Sequence, residues 1–189
     1  MIKKNVIDEK LPIDLIKLSE QVWPLERDVF FRPARLKYVR RLIEKQNCVF
    51  CETASKDMSE KTLCLFKSKY SQIVVNKFPY NSGHLLIIPL RHSDDLLDLS
   101  EAEFTDLNQT LKLAVQGIVS CYQPQGYNIG LNNGATAGAG IPDHIHYHIV
   151  PRWNGDLNFF PLIAETKLVI ETAEESYLRL ETFFKNHKG

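Results

Sequence analysis

The segment "IPDHIHYHIVPRW", residues 141–153, carries histidines at positions 144, 146 and 148, half of the chain's six. In extended backbone successive side chains alternate faces, so His144, His146 and His148 share one face and Ile145, Tyr147 and Ile149 the other. The alternation predicts a strand whose apolar face enters a core and whose imidazoles line a site. A packing role is disfavoured, because burial desolvates each of three neighbouring imidazoles and exposure gains nothing. Two chemical readings remain. Histidine is a common metal ligand, and His-x-His on a strand presents two nitrogens to one ion, although no carboxylate within the strand completes a catalytic set. Histidine is also a nucleophile, and histidine neighbours can donate hydrogen bonds, fix its tautomer and protonate a leaving group. His146, flanked on both sides, is the candidate attacking group.

The surroundings favour phosphorus as the target. "NNGATAGAG", residues 132–140, can bring backbone N–H groups close to oxyanions, because glycine imposes no side chain. Arg152, four residues beyond His148, offers a planar cation suited to phosphate. These features converge on phosphoryl or nucleotidyl transfer. Separately, "CVFC" holds Cys48 and Cys51 at a spacing that suits tetrahedral zinc. A redox role for the pair is disfavoured, since no thioredoxin-like βαβ pattern surrounds it.

Positioning these residues requires a scaffold. Residues 13–22 and 34–45 show helical apolar spacing, separated by Pro24 and Pro33, and read as two short helices forming an N-terminal extension over residues 1–46. "NCVFCETA" reads as a turn-like segment. "KTLCLFKS" and "YSQIVVNKF" read as strands, and "GHLLIIPL" as a strand buried on both faces. Ser100 and Glu103 form a capping box ahead of a long amphipathic helix. Tyr127–Leu131 reads as a strand before the glycine-rich loop, and Thr172 with Glu175 opens a C-terminal helix. Trp153 and Phe160 read as core or interface aromatics. The order predicts an α+β fold with an antiparallel sheet, in a domain spanning residues 47–189.

Lysine plus arginine equals aspartate plus glutamate at 23 each, so no global field draws nucleic acid or an anionic membrane, and neither is expected as a partner. The chain opens without a secretory pattern and has no apolar run of about 20 residues, so the expected location is cytoplasmic. Cys48, Cys51, Cys64 and Cys121 do not suggest a disulfide framework.

"HIHYHIV" resembles the His-φ-His-φ-His-φ-φ pattern of the histidine triad superfamily. "VNKFPYNSGHLLIIPLRHSDDLLDLS" resembles the block preceding the long helix in its members, so the likeness runs over roughly residues 70–163. "HIVPRWNGDLNFFP" looks especially like the branch that contains diadenosine tetraphosphate phosphorylases. The resemblance implies that His146 takes the nucleotidyl group as a phosphoramidate and that His148 binds its phosphate. It further implies that His144 orients the site together with His92, that Asn76 lies near the ribose, and that the loop Asn133–Gly140, with Gly138, Ala139 and Gly140, binds phosphate. A homodimer follows by the same likeness, as does zinc held structurally by Cys48, Cys51, His92 and His144. No organic cofactor is expected.

Hydrolases of the fragile histidine triad type carry glutamine four residues before the first triad histidine, where this chain has Gly140. The missing side chain leaves room for a second phosphate. The expectation is therefore phosphorolysis of a dinucleoside polyphosphate by inorganic phosphate. The alternatives are a hydrolase releasing a nucleoside monophosphate and a nucleotide-binding module without turnover.

Overall fold

Alternating and continuous apolar runs between residues 64 and 89 can satisfy their backbone groups by pairing side by side, and they do so as a meander. The computed structural model describes residues 48–156 and 169–187. The two expected N-terminal helices and Phe160 lie outside these residues. Within them, α1 (Val49–Ser55) precedes β1 (Cys64–Lys67), β2 (Ser71–Val75) and β3 (Leu85–Pro89). The long α2 (Glu101–Tyr122) is followed by β4 (Gly126–Leu131), β5 (Tyr147–Arg152) and α3 (Ala173–Lys185). The five strands form one antiparallel sheet in the order β1-β2-β3-β5-β4. This is the expected α+β architecture. No helix among the described residues is long and apolar enough to cross a membrane.

Register sorts the sheet into two faces. Val75 pairs with Leu85 and Leu85 with Ile149, while Ile73 pairs with Ile87, and these five side chains are at most 1% exposed. They share the core with Leu107, Ala114 and Ile118 of α2. Ser71 is in phase with Ile73, and its hydroxyl reaches Thr110 on α2 at 2.8 Å, which identifies this face as the one α2 covers. Each buried Ile or Leu contributes roughly 1.5–3 kcal/mol of transfer free energy. Val74, Leu86 and His148 align across the other face through the pairs Val74–Leu86 and Leu86–His148. The same register thus seals the core and aims His148 away from it.

Both expected capping boxes are present, at Ser100/Glu103 and Thr172/Glu175. Glu103 also pairs with Arg91 at 2.7 Å, and this ion pair with the cap holds its carboxyl down at about 2. Arg91 additionally donates to the Asp98 carbonyl at 2.7 Å, so the loop after β3, which carries His92, is tied to the start of α2.

Two expectations need correction. "NCVFCETA" is not a turn: Val49–Ser55 is helical, begun by the Glu52 N–H to Cys48 carbonyl bond at 3.0 Å and anchored by buried Phe50. The histidine segment is also only partly regular strand. β5 starts at Tyr147, and His144 and His146 precede it because their stretch pairs with the loop after β3 through the Ile145 N–H to Ser93 carbonyl bond at 2.7 Å.

α3 packs on α2 through a close approach that only glycine allows. A Cβ on Gly117 would come within 2.7 Å of Phe184 Cζ, and Phe184 is 2% exposed. Gly117→Val should therefore destabilise the fold by about 1–3 kcal/mol in a urea titration, as overpacked cores do. An unchanged midpoint would mean that α3 is not seated there.

Candidate active site

His146 sits where its tautomer is decided by backbone. Its Nδ1 lies 2.8 Å from the His144 carbonyl oxygen, which can only accept, so Nδ1 carries the proton and Nε2 keeps its lone pair. The ring is 4% exposed, and burial holds its pKa below the ordinary histidine value, partly offset by the carbonyl bond. At neutral pH the group is a neutral imidazole with an available nitrogen. Phe50 braces it edge-on, with ring centroids 5.0 Å apart.

His148 belongs to a relay that the sequence reading missed. The Tyr80 backbone N–H donates to His84 Nδ1 at 3.0 Å, and the Asn76 amide approaches the same nitrogen at 3.2 Å. With Nδ1 accepting, neutral His84 carries its proton on Nε2 and donates it to His148 Nδ1 at 3.0 Å. Neutral His148 in turn carries its proton on Nε2, as a donor suited to a phosphate oxygen. His84 is fully buried at the entrance to β3. The available signal was its phase, since His84 lies two residues before Leu86 and so on the same face of the sheet as His148. Gly83 makes the turn possible, with φ +71° and a Cβ position that would fall 2.8 Å from the Tyr122 ring.

His144 looks elsewhere. Its Nε2–H donates to the Pro89 carbonyl at 3.0 Å, which leaves Nδ1 facing the Sγ atoms of Cys48 at 3.3 Å and Cys51 at 3.6 Å. His92 Nδ1 lies 3.3 Å from Cys51 Sγ. All four donor atoms lie within 4.8 Å of one another. Sulfur and nitrogen in a tetrahedral zinc shell stand about 3.6 Å apart, from Zn–S near 2.3 Å and Zn–N near 2.0–2.1 Å, so the donor set and spacing fit that ion. Burial pushes His144 down to about 4, keeping it in the neutral form that ligates. α1 explains the sulfur geometry: Cys48 and Cys51 stand one helical turn apart on one side, and Phe50 between them packs toward His144 and His146.

A cleft of about 480 Å³ opens on this face, a size suited to a nucleotide-sized ligand. Apolar Val49, Phe50, Leu63, Val74 and Leu86 line it, together with His146 and His148. Asn76, Gly138 and Gly140 also line it, and Ala139 lies between the two glycines. The Asn76 side chain is already engaged with His84 and the Phe78 N–H. In the loop, the N–H groups of Gly138 and Ala139 bond to the carbonyls of Ala135 and Gly134, so these two donors serve the loop itself. Asn133 is exposed and is not part of the cleft wall. Arg152 is engaged outside the cleft. Its guanidinium bonds Asp156 at 2.7 and 2.8 Å and the Asn128 side-chain Oδ1 at 2.9 Å, and it does not line the cleft. Trp153 stands edge-on to Tyr122 at 6.2 Å, also outside the cleft, as expected of a packing aromatic.

Comparison with known proteins agrees with this geometry. An "AP-4-A phosphorylase" of Mycobacterium tuberculosis is 36% identical over 123 residues, covering 65% of this chain and 63% of that protein. A "Bis(5'-nucleosyl)-tetraphosphatase [asymmetrical]" of Schizosaccharomyces pombe is 37% identical over 119 residues, covering 63% of this chain and 62% of that one. The chain thus spans less than two thirds of the length of these relatives. Among solved structures, a zinc-bound histidine triad family protein of Mycobacterium smegmatis superposes with TM-score 0.60 at 26% identity, over 76% of this chain and 96% of the other. The HIT domain profile matches residues 58–155, more than half of the chain, and takes in His84, His92 and all three triad histidines. With the triad on one sheet face and the family's profile running through it, the chain belongs to the HIT domain family.

Proposed function

We propose that the protein transfers a nucleotidyl group from a dinucleoside polyphosphate, such as diadenosine tetraphosphate, to inorganic phosphate. The observation that carries this reading is the locked tautomer of His146, whose Nε2 lone pair is available beside His148 in a nucleotide-sized cleft. The Nε2 pair forms a bond to the α-phosphorus, the P–O bond to the remaining polyphosphate breaks, and its electrons leave with that oxygen. An oxygen of inorganic phosphate then attacks the same phosphorus, the P–N bond breaks, and its electrons return to Nε2. Diadenosine tetraphosphate yields ATP in the first step and ADP in the second. Two displacements through a covalent intermediate replace one difficult transfer. His148 Nε2–H donates to a phosphate oxygen as its charge redistributes, with His84 holding that imidazole from behind.

Gly140 favours phosphate over water as the acceptor. It lines the cleft with His146 and His148, and a residue without a side chain there leaves space for a second anion. The named activities of the relatives, a phosphorylase and a tetraphosphatase, span both chemistries. Incubation with diadenosine tetraphosphate should give ADP only when inorganic phosphate is present, and His146→Ala should abolish turnover. AMP formed in phosphate-free buffer would establish the hydrolase instead, and no turnover across dinucleotides would leave a binding module.

Zinc is the proposed occupant of Cys48, Cys51, His92 and His144, where it would hold α1, the loop after β3 and the triad segment together. The fit of the four donors and the zinc-bound relative support this. Bound, it would supply a structural cross-link. Protein prepared without chelator should contain about one zinc per chain, and Cys51→Ser should lose it and lower the melting temperature. Less than half an equivalent would contradict the assignment.

A second copy of the chain is the proposed partner at β4. This strand is the sheet's edge, with Tyr127 44% and Ile129 43% exposed, and α2 adds Val119 at 48%. An unpaired edge with apolar side chains is a template for another strand. Sedimentation should give twice the chain mass, and Ile129→Lys should shift it to one. A monomeric wild type would refute the dimer.

A further inference from the structure

Residues beyond the HIT profile reach the turn that presents His84. The profile ends at residue 155, whereas Glu171 lies just before α3 and Ser176 in its first turn. Ser176 is 1% exposed, and its Oγ accepts the Gly83 N–H at 3.2 Å while donating to Glu171 Oε2 at 3.0 Å. The hydroxyl of Tyr122, the last residue of α2, donates to the same Oε2 at 2.6 Å. The Tyr122 ring packs on Gly83, where a Cβ would fall 2.8 Å from it. One carboxylate oxygen thus organises both neighbours of the glycine that precedes His84.

We propose that Glu171 is a positioning residue for His84, acting through the hydroxyls of Ser176 and Tyr122 on the turn at Gly83. The proposal rests on the reading that the His84–His148 pair serves phosphate transfer. Three observations support it. First, the direction of each bond is fixed. The Glu171 carboxylate, paired with Arg179, only accepts, so the Ser176 O–H is committed to it and the Ser176 lone pairs face the Gly83 N–H. Without the carboxylate that hydroxyl can rotate, and the Gly83 amide loses an aligned acceptor. Second, Gly83 is clamped on two sides, with the Tyr122 ring against its Cα and the Ser176 hydroxyl on its N–H, at a φ of +71° that favours glycine. The next residue is His84, whose Nε2 lies 3.0 Å from His148 Nδ1, so a shift of the turn is carried into the pair. Third, the ion pair does not account for this carboxylate. Glu171 takes the Arg179 Nε–H at 2.7 Å, but the Arg179 side chain is 53% exposed and that of Glu171 only 9%. A pair so open to water on one side contributes little, which leaves the two hydroxyls as the partners that explain a sheltered carboxylate. α3 is by this account part of the active site's support as well as of the core.

The test compares wild type, Glu171→Gln, Glu171→Leu and Ser176→Ala by steady-state kinetics on diadenosine tetraphosphate with phosphate, and by nitrogen NMR of histidine-labelled, substrate-free protein. Urea midpoints are measured in parallel, so that only folded protein is compared. Glutamine keeps one oxygen that can accept both hydroxyls, and Glu171→Gln should hold kcat within about twofold. Glu171→Leu and Ser176→Ala should each lower kcat about tenfold with KM little changed, inside the range that a small misplacement of a reacting group costs. His84 should show one sharp set of ring-nitrogen resonances in wild type and Glu171→Gln, and broadened or doubled resonances in the other two. A lower urea midpoint with kcat and the His84 resonances unchanged would mean a purely structural contact and overturn the proposal. So would a loss confined to KM, or a glutamine variant as impaired as the leucine one. The NMR comparison needs no turnover, so a protein inactive on every dinucleotide would defeat the functional reading while the hold of Glu171 on His84 was still decided.

Discussion

The hydrogen bond from His146 Nδ1–H to the His144 carbonyl, 2.8 Å long, is the constraint on which the site depends. Without it a neutral imidazole could place its proton on either nitrogen, and one of those states has no lone pair at Nε2. A backbone carbonyl cannot donate, so the choice does not depend on another side chain's protonation. The bond is short-range in sequence, and the 144–146 segment that carries it is held from outside. The Ile145 N–H to Ser93 carbonyl bond, Ile145 buried beneath, and His144 donating to the Pro89 carbonyl together tie this segment to β3 and the loop after it before β5 begins.

From this follows a division of labour among three residues that look alike in sequence. His144 contributes its carbonyl to His146 and its ring to a cluster with two thiols and His92. His146 keeps a free nitrogen in the cleft. His148 is set by a chain of donors beginning at a backbone amide and passing through buried His84. For His144 and His146 a backbone carbonyl fixes one ring nitrogen, and the other faces the thiols or the cleft. α1 links two of these arrangements, because its cysteines face His144 while Phe50 between them touches both His144 and His146. Whatever holds the cluster together thereby also braces His146.

Much of this was legible in sequence where a local period or a cap decides the outcome. The apolar run of β3 and the two capping boxes are short-range patterns, and the elements they predict are present, whereas the triad's alternation predicts a strand that is regular only from Tyr147. What could not be read depends on partners distant in the chain. Phe50 makes a helix of 49–55 because the core accepts it and because the carbonyl of Phe50 takes a bond from buried Gln72, 22 residues away. The phase of His84 with Leu86 was too weak a signal for one histidine in an apolar run, and it acquires meaning only when strand pairing brings it to His148, 64 residues on. The surroundings of Arg152 were hidden for the same reason, since proximity to the triad along the chain said nothing about Asp156 and Asn128 engaging its guanidinium. The glycine loop stands between these cases: Gly134 and Gly138 do adopt positive φ and Gly138 and Gly140 reach the cleft, but two of its N–H groups close the loop on itself.

The central claim is that His146 Nε2 forms a covalent bond to the transferred phosphorus, and it can be observed directly. Protein mixed with diadenosine tetraphosphate in phosphate-free buffer, quenched at alkaline pH and digested, should yield an adenylylated peptide spanning 144–148. Fragmentation should place the label on His146, and brief exposure to acid should release it, as expected of a phosphoramidate. A label on another residue, or turnover with no labelled peptide at any time point, would contradict the account.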